Sequence, residues 1–550
     1  MERALVTLVN PNLVHPPITP YALDILTTSL DMAGFEVEVV DLTFVRDRWR
    51  EVLREYFAKS RPFLVGITFR NTDTIYPQEQ RVFLDSHREI VRAIRRHCDA
   101  PLVGGGVGFS SMPFALVDYL ELDYGVKGPG ETTLVQLAEG LNAGTPADTV
   151  PGLIINRGGG RVQQIPHWTP AIAVGRSALV NRSSVYQRRS GSSGRVDNLA
   201  YYSRGGLGNI LTKNGCAYAC THCVEPDAKG SQFATRNPVA VVDEMEDLVG
   251  QGVYDLHTTD SEFNLNIAHS KAILREIIRR KATDPATALR SLRLWTYMQP
   301  APFDEEYADL LAHAGCAGIN VAPDHVRDDV LDGWKVTRNG TRFYTFRDVE
   351  KLCALAKAYG MHTMVEALLG MSGETAESMR RCVEAFQSLD ATVVGYTLGI
   401  RVFPHSPLGV SFAAASAGAV GVPGLQSNTA TEPIVLMRRD QCADETEYER
   451  QFMFDRNGHF RPVYYFSPDL PEGRHGVPSP SDRWLASLDL LWQWIPEHQR
   501  DRVMLPTAPG LSPNDNNYAD NPFLLRLTEL GYKGAYWSHW PLRDRIMQQT

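Results

Sequence analysis

The chain has 550 residues, which length alone divides into about three or four domains. Hydrophobic residues make up 43% and charged residues 22%, the balance of an ordinary globular protein. A net charge of -9 and a pI near 5.9 exclude a large nucleic-acid surface, because phosphate binding needs clustered Lys and Arg; small ligands are the expected partners.

No apolar run reaches the ~18 residues of a membrane span, so no membrane partner is expected. The start, Met1-Glu-Arg-Ala-Leu-Val-Thr-Leu-Val9, reads as a buried strand, since no cleavage pattern of a signal peptide follows it. Strand and helix then alternate to about residue 150. Strands are expected at Leu5 to Val9, Val37 to Asp41, Phe63 to Thr68, Pro101 to Val103 and Tyr124 to Lys127. Helices are expected at Ala22 to Ala33, about Arg46 to Ala58, and Gln78 to His97, where Phe83, Ile90, Val91 and Ile94 share a face. This alternation predicts a doubly wound parallel sheet, an α/β fold that binds ligands at the carboxyl ends of its strands. Arg70, the turn Gly104-Gly-Gly-Val-Gly108 and the turn Gly128-Pro-Gly-Glu131 all fall at such ends.

Residues 151–205 read as a connector, punctuated by Arg157-Gly-Gly-Gly160 and Arg188-Arg-Ser-Gly-Ser-Ser-Gly194. From 206 to 410 a second alternation gives six strand–helix units. Their strands are expected near Asn209–Thr212, Asp255–Thr259, Arg293–Met298, Gly318–Val321, Thr363–Gly370 and Val393–Val402. Asn237-Pro238 is a helix start, an N-cap followed by proline at the first helical position. Six units fall short of a full barrel of eight, so a partial barrel is expected. Residues 411–550, rich in Tyr, Trp and Pro, read as a small accessory domain on the barrel mouth.

Chemistry concentrates in Lys213-Asn-Gly-Cys-Ala-Tyr-Ala-Cys-Thr-His-Cys223. Three thiolates at Cys216, Cys220 and Cys223 can hold three irons of a four-iron cluster and leave the fourth open, whereas four cysteines would suit plain electron transfer. The rival is zinc on the three cysteines plus His222 or a distant histidine. His222 adjoins Cys223, so the two reach one tetrahedral ion only with strain, and zinc motifs more often come as separated pairs. Cys98, Cys316, Cys353, Cys382 and Cys442 lack motif spacing and read as reduced core thiols, with a cytoplasmic setting expected.

The cysteine loop, Leu369-Gly-Met-Ser-Gly-Glu374 and Gly399-Ile-Arg-Val-Phe-Pro-His-Ser-Pro-Leu408 follow one another in the order of the radical SAM superfamily. Over about residues 1–410 the chain resembles the cobalamin-dependent branch of that superfamily. The resemblance implies a cobalamin-binding sheet, a partial (β/α)6 barrel, a [4Fe-4S] cluster, S-adenosyl-L-methionine (SAM) and cobalamin. Gly104, Gly105, Gly106, Gly108, Gly128 and Glu131 would border the cobalamin, where glycine lets backbone approach closely. One departure stands out. Many cobalamin domains carry Asp-x-His-x-x-Gly, but Asp85-Ser-His87 runs into Ile90 and Asp255-Leu-His257 into Asp260. The lower face of the cobalt is therefore expected to lack histidine, with Arg70 placed to face it. The plain alternative for Arg70 is a surface ion pair.

Within that branch, Arg70-Asn-Thr-Asp73, Asp260-Ser-Glu-Phe-Asn264 and Trp295-Thr-Tyr297 resemble segments of the tryptophan 2-C-methyltransferase family. This closer resemblance implies that Glu262 occupies the open iron and suppresses SAM cleavage, as a carboxylate suits a hard, exposed iron. The alternative is that Glu262 binds the SAM ammonium group. It also implies polar methyl transfer through methylcobalamin to carbon 2 of the indole of L-tryptophan, with Tyr297 accepting or orienting the indole proton. Tyr297 as a barrel-lining aromatic is the alternative there. An external electron donor for cobalamin reduction completes the expected partners. Two other functions stay open on sequence: radical chemistry by the same cofactors on another natural-product precursor, and a cobalamin sensor or zinc-stapled binding module.

Overall fold

A computed structural model of the chain describes residues 3–75, 82–166, 196–416, 421–427, 434–471, 482–505 and 521–549. The first sheet contains β1 (Leu5–Asn10), β2 (Glu36–Asp41), β3 (Leu64–Thr68), β4 (Leu102–Gly105) and β5 (Tyr124–Val126), all parallel. It goes on into β6 (Leu153–Asn156) and β7 (Val162–Gln164), which are antiparallel. The order is β2-β1-β3-β4-β5-β6-β7. Strand β1 is buried almost throughout, as expected of a strand covered by helices on both faces. Helix Trp49–Lys59 shows why the crossovers dock: Trp49, Leu53, Tyr56 and Phe57 form one apolar stripe at helical spacing. Helix Leu84–Arg95 does the same with Leu84, Ile90, Val91 and Ile94. It begins later than the sequence predicts, and residues 78–81 of the expected helix lie outside the described ones.

The segment from 151, expected as a connector, supplies the last two strands of this sheet. Short antiparallel strands at an edge carry little apolar periodicity, and Gln163 and Gln164 are exposed. Further along, Asp197 caps helix Asn198–Ser203. Tyr201 donates its hydroxyl to Asp41 Oδ2 at 2.6 Å, tying this helix to the end of β2.

The second sheet begins with β8 (Gly208–Ile210). A two-residue antiparallel pair, β9 (Lys213–Asn214) and β10 (Ala234–Thr235), then brackets the cysteine loop. The sheet continues through β11 (Asp255–Thr258), β12 (Arg293–Tyr297), β13 (Cys316–Asp324), β14 (His362–Leu369) and β15 (Val393–Leu398). Those are the six expected strands of a partial barrel, all paired in parallel. Asn237 caps the next helix as its sequence implies, accepting from Val239 and Ala240 N–H.

The C-terminal region departs from the separate accessory domain expected of it. Strands β16 (Ile400–Arg401), β17 (Leu425–Ser427) and β18 (Val463–Tyr465) form a small sheet, and β19 (Val503–Met504) joins β15 as a seventh parallel barrel strand. Beyond it, Phe523, Leu524, Leu527, Ala535, Trp537 and Trp540 pack with Trp295, Met364 and Val393 of the barrel strands in one apolar cluster. The Trp295 and Trp537 rings meet edge to face at 5.5 Å. Polar contacts join the parts as well. His405 hydrogen-bonds Glu449 at 2.7 Å, and the other Glu449 oxygen accepts from Ala115 N–H of the first sheet's layer at 2.8 Å.

Gly534 is where the C-terminal segment meets the barrel. Its φ is +97°, and a Cβ there would lie 2.6 Å from Trp295 Cζ2. Gly531 has a similar backbone (φ +77°) but open space around it. Gly534→Ala should therefore destabilise the protein by about 2–4 kcal/mol and Gly531→Ala by about 1 kcal/mol. Thermal unfolding of the two variants checks this order, which equal losses would contradict.

Candidate active site

The carboxyl ends of β1, β3 and β4 and the mouth of the barrel face one another across a cavity of about 820 Å³. This lies at the switch point of the first sheet, where strand order reverses between β1 and β3, the place doubly wound folds keep for ligands. The volume is near the upper end for small-molecule sites. Its walls come from all three parts of the chain: Arg70 and the glycine turns, the segment Thr259 to Glu262 with His257 and Tyr297, and the C-terminal residues Tyr532, Tyr536, Trp537 and His539.

On the first-sheet side, Gly104, Gly105, Gly106, Gly128 and Glu131 line the cavity. Gly106 has φ +107°, and a Cβ there would strike Phe69 O at 2.7 Å. Gly108 does not line the cavity. A Cβ on it would lie 2.7 Å from Arg70 O, so its glycine serves close packing of the turn against the Arg70 backbone. Glu131 opens helix Glu131–Asn142, and burial raises its carboxyl above the usual range. Arg70 is exposed, donates to Asn71 Oδ1 at 2.8 Å and borders the cavity. His87 sits behind it, outside the large cavity, with its ring 5.2 Å from that of Phe69 and its Nδ1 without a hydrogen-bond partner among the described residues. Burial pushes the imidazole down to about 4.

The cysteine loop is held by backbone hydrogen bonds. Cys216 N donates to Gly230 O at 2.9 Å, while Ala219 N and Thr221 N donate to Val336 O and Trp334 O, both at 2.9 Å. Burial pushes all three thiols up, Cys216 to about 11 and Cys223 further, so a positive centre has to displace their protons. A single zinc ion would draw the sulfurs to about 3.8 Å of one another, from Zn–S bonds of ~2.3 Å. The ligand atoms of His405, Glu445 and Glu449 converge within 4.8 Å, but the three sulfurs, with or without His222, form no such set among the described residues. His222 instead lies 3.6 Å from Asp324 Oδ2 and against the Trp334 ring. The wider spacing suits a cluster.

Glu262 follows β11. Its Oε1 accepts from Gln299 Nε2 at 3.0 Å, and its Oε2 is buried without a partner among the described residues. Burial pushes the carboxyl up to about 8 against the pull of Lys335 and Lys213, and its charge is felt at Cys216 and Cys220. A buried carboxylate oxygen with nothing to accept from among the described residues, acting on Cys216 and Cys220, fits a metal ligand.

Tyr297 ends β12, is 42% exposed and lines the cavity. Beneath it on the same strand, Trp295 donates its indole N–H to Asp255 Oδ1 at 2.9 Å and packs on Trp537. The structure thus brings Arg70, five of the six glycine-turn residues, Glu262 and Tyr297 to one space. Several neighbours went unremarked in the sequence. Lys335 pairs with Asp324 at 2.9 Å and acts on Cys220, yet nothing beside it in sequence marks it. Gln299, which holds Glu262, follows Tyr297 by two residues. Trp537 comes from a segment whose role the sequence leaves unread.

Residues 210–386 match the radical SAM superfamily and residues 12–138 the B12 binding domain. Tryptophan 2-C-methyltransferase of Streptomyces laurentii is 54% identical over 583 residues, an alignment spanning 100% of this chain and 97% of the relative. The chain belongs to the tryptophan 2-C-methyltransferase family. The structure of the radical S-adenosylmethionine methyltransferase TsrM from Kitasatospora setae with cobalamin and a [4Fe-4S] cluster bound is 56% identical. It covers 100% of this chain and 99% of its own, at a TM-score of 0.92. TsrM with tryptophan and aza-SAM bound is 57% identical, covers 99% of each chain and also gives 0.92. The family fold, a B12-binding domain followed by a radical SAM domain, is the architecture described above. No helix among the described residues is long and apolar enough to cross a membrane.

His87, on helix Leu84–Arg95 behind Arg70, gives a pH test. Its folded value of about 4 lies below the unfolded ~6.5, so the unfolded chain takes up the proton first and stability falls as pH drops through that window. His87 should cost about 2 kcal/mol between pH 7 and pH 5. Urea unfolding of the protein and of His87→Leu at the two pH values should show the variant losing less by that amount; equal losses would contradict the assignment.

Proposed function

We propose that this protein transfers the methyl group of SAM to carbon 2 of the indole ring of L-tryptophan, giving 2-methyltryptophan, S-adenosylhomocysteine and a proton. The observation that carries the reading is the Glu262 oxygen, buried without a partner among the described residues and near enough to act on Cys216 and Cys220, on the same cavity as Arg70 and Tyr297. The whole-chain likeness to a tryptophan 2-C-methyltransferase supports the substrate.

Cys216, Cys220 and Cys223 would hold a [4Fe-4S] cluster, and Glu262 Oε2 would take its fourth iron. Gly104, Gly105, Gly106, Gly128 and Glu131 would border cobalamin, with Arg70 toward its lower face. Bound cobalamin supplies a cobalt centre able to take an electrophilic methyl group and pass it to a nucleophilic carbon. Arg70, cationic and unable to ligate, keeps water and other ligands from that lower face. Glu262 at that iron would deny SAM its usual hold there and leave SAM a source of electrophilic methyl. Tyr297 would turn its phenol oxygen to the indole N–H, orienting that group and, as positive charge builds on the ring, taking its proton while passing its own hydroxyl proton to solvent. An external electron donor belongs to this reading as the partner that restores oxidised cofactor.

Anaerobically reconstituted protein given SAM and tryptophan should form the methylated product with negligible 5′-deoxyadenosine. Replacing Cys216, Cys220 and Cys223 by alanine should remove the iron and acid-labile sulfide, and Glu262→Ala should cut methylation by tenfold or more, about the cost of a displaced metal ligand or its support. Stoichiometric 5′-deoxyadenosine would contradict the polar reading in favour of radical chemistry. Methylation unchanged in Glu262→Ala would remove Glu262 from the site.

A further inference from the structure

His257 and Tyr297 sit on the neighbouring parallel strands β11 and β12. The register pairs His257 with Trp295, so Tyr297 stands two residues further along β12, roughly 6.6 Å toward the cavity mouth. The imidazole reaches up that distance and meets the phenol edge to face, with centroids 4.8 Å apart and planes at 72°. Both rings line the cavity, as does Trp537, which packs edge to face on Trp295. The imidazole is neutral, because burial pushes it down to about 4, so the contact is between two uncharged aromatics. Edge-to-face pairs of this separation are directional.

Tyr297 needs such support. It is the last residue of its strand and 42% exposed, although its backbone still pairs with Asn320. A phenol that must point its hydroxyl at one indole nitrogen gains from a ring that fixes its plane. We propose that His257 is a positioning residue, whose ring, through its edge-to-face contact, sets the plane of Tyr297 and so aims the phenol hydroxyl at the indole N–H. This rests on the role given to Tyr297 above. It adds a function for a histidine whose Asp255-Leu-His257 setting falls short of the cobalt-ligand motif and which the proposed chemistry leaves unused.

The test is a double-mutant cycle on the reconstituted full chain, comparing His257→Leu, His257→Phe, Tyr297→Phe and the His257→Leu/Tyr297→Phe double variant, with kcat and KM for tryptophan and with iron and cobalamin content. His257→Leu is expected to lower kcat about three- to tenfold with KM changed less than twofold, the range of one aromatic pair. His257→Phe, which keeps a ring, should retain at least half of kcat. In the Tyr297→Phe background His257→Leu should cost less than twofold more, and cofactor contents should stay level throughout. If His257→Leu does not fold, His257→Gln removes the ring at similar volume and enters the same cycle. Equal losses from His257→Leu in both backgrounds, no loss at all, or a His257→Phe as poor as His257→Leu would each overturn the inference while leaving the Tyr297 reading in place. An unimpaired Tyr297→Phe would overturn both.

Discussion

Lys213 and Asp260 are buried to 1% and 0% side-chain exposure and pair at 2.7 Å. Every remaining bond of the two is spent on the same joint. Asp260 Oδ1 accepts from Thr212 N at 2.7 Å and Lys213 N at 3.2 Å, and Lys213 Nζ donates to Glu262 O at 2.7 Å and Phe263 O at 3.1 Å. The pair therefore fastens the strand that opens the cysteine loop to the segment that bears Glu262. Two charges taken out of water are tolerated only with such full hydrogen bonding, and removing one partner of a buried pair typically costs ~3–5 kcal/mol. This joint ties the backbone of Glu262 to the strand that opens the cysteine loop, and the proposed capping of the iron depends on it.

The same economy of geometry runs outward. The cysteine loop leans on backbone carbonyls of Trp334 and Val336, which put Lys335 beside Cys220 and Asp324. Cross-links such as Arg236 to Tyr21 O–H at 2.8 Å and Lys127 to Asp227 at 2.7 Å hold the first sheet over the barrel mouth. The C-terminal segment then fills the barrel from the other end, so that the cavity has a floor. A reaction that moves a methyl group from one bound molecule to another needs both held in one enclosed space, and three parts of the chain cooperate to make it.

Much of this was legible in the sequence because its signals are local. The spacing of Cys216, Cys220 and Cys223, the alternation that gave five parallel strands and then six, and the strand-end positions of Arg70, Glu262 and Tyr297 are all short-range patterns. What escaped is long-range. Strand β6 has a buried run of only three residues, Leu153 to Ile155, and the edge strand β7 exposes Gln163 and Gln164, so neither offers a pattern long enough to read. Val503–Met504 is a two-residue strand that only its partner β15 defines. Gly108 looked like part of a ligand cradle because it belongs to a glycine run, but its contact is with the Arg70 backbone. Lys335, Gln299 and Trp537 reach the site through folding alone. His257 was visible only as an incomplete motif.

The central claim is that a protein carboxylate, and not SAM, takes the fourth iron. Electron–nuclear double resonance on the reduced cluster, with SAM labelled with nitrogen-15 at its amino group, tests it most directly. The account predicts no strong coupling from that nitrogen in the unaltered protein. A strong nitrogen-15 coupling there would contradict it, since it would place the SAM amino group on the iron that Glu262 is said to occupy.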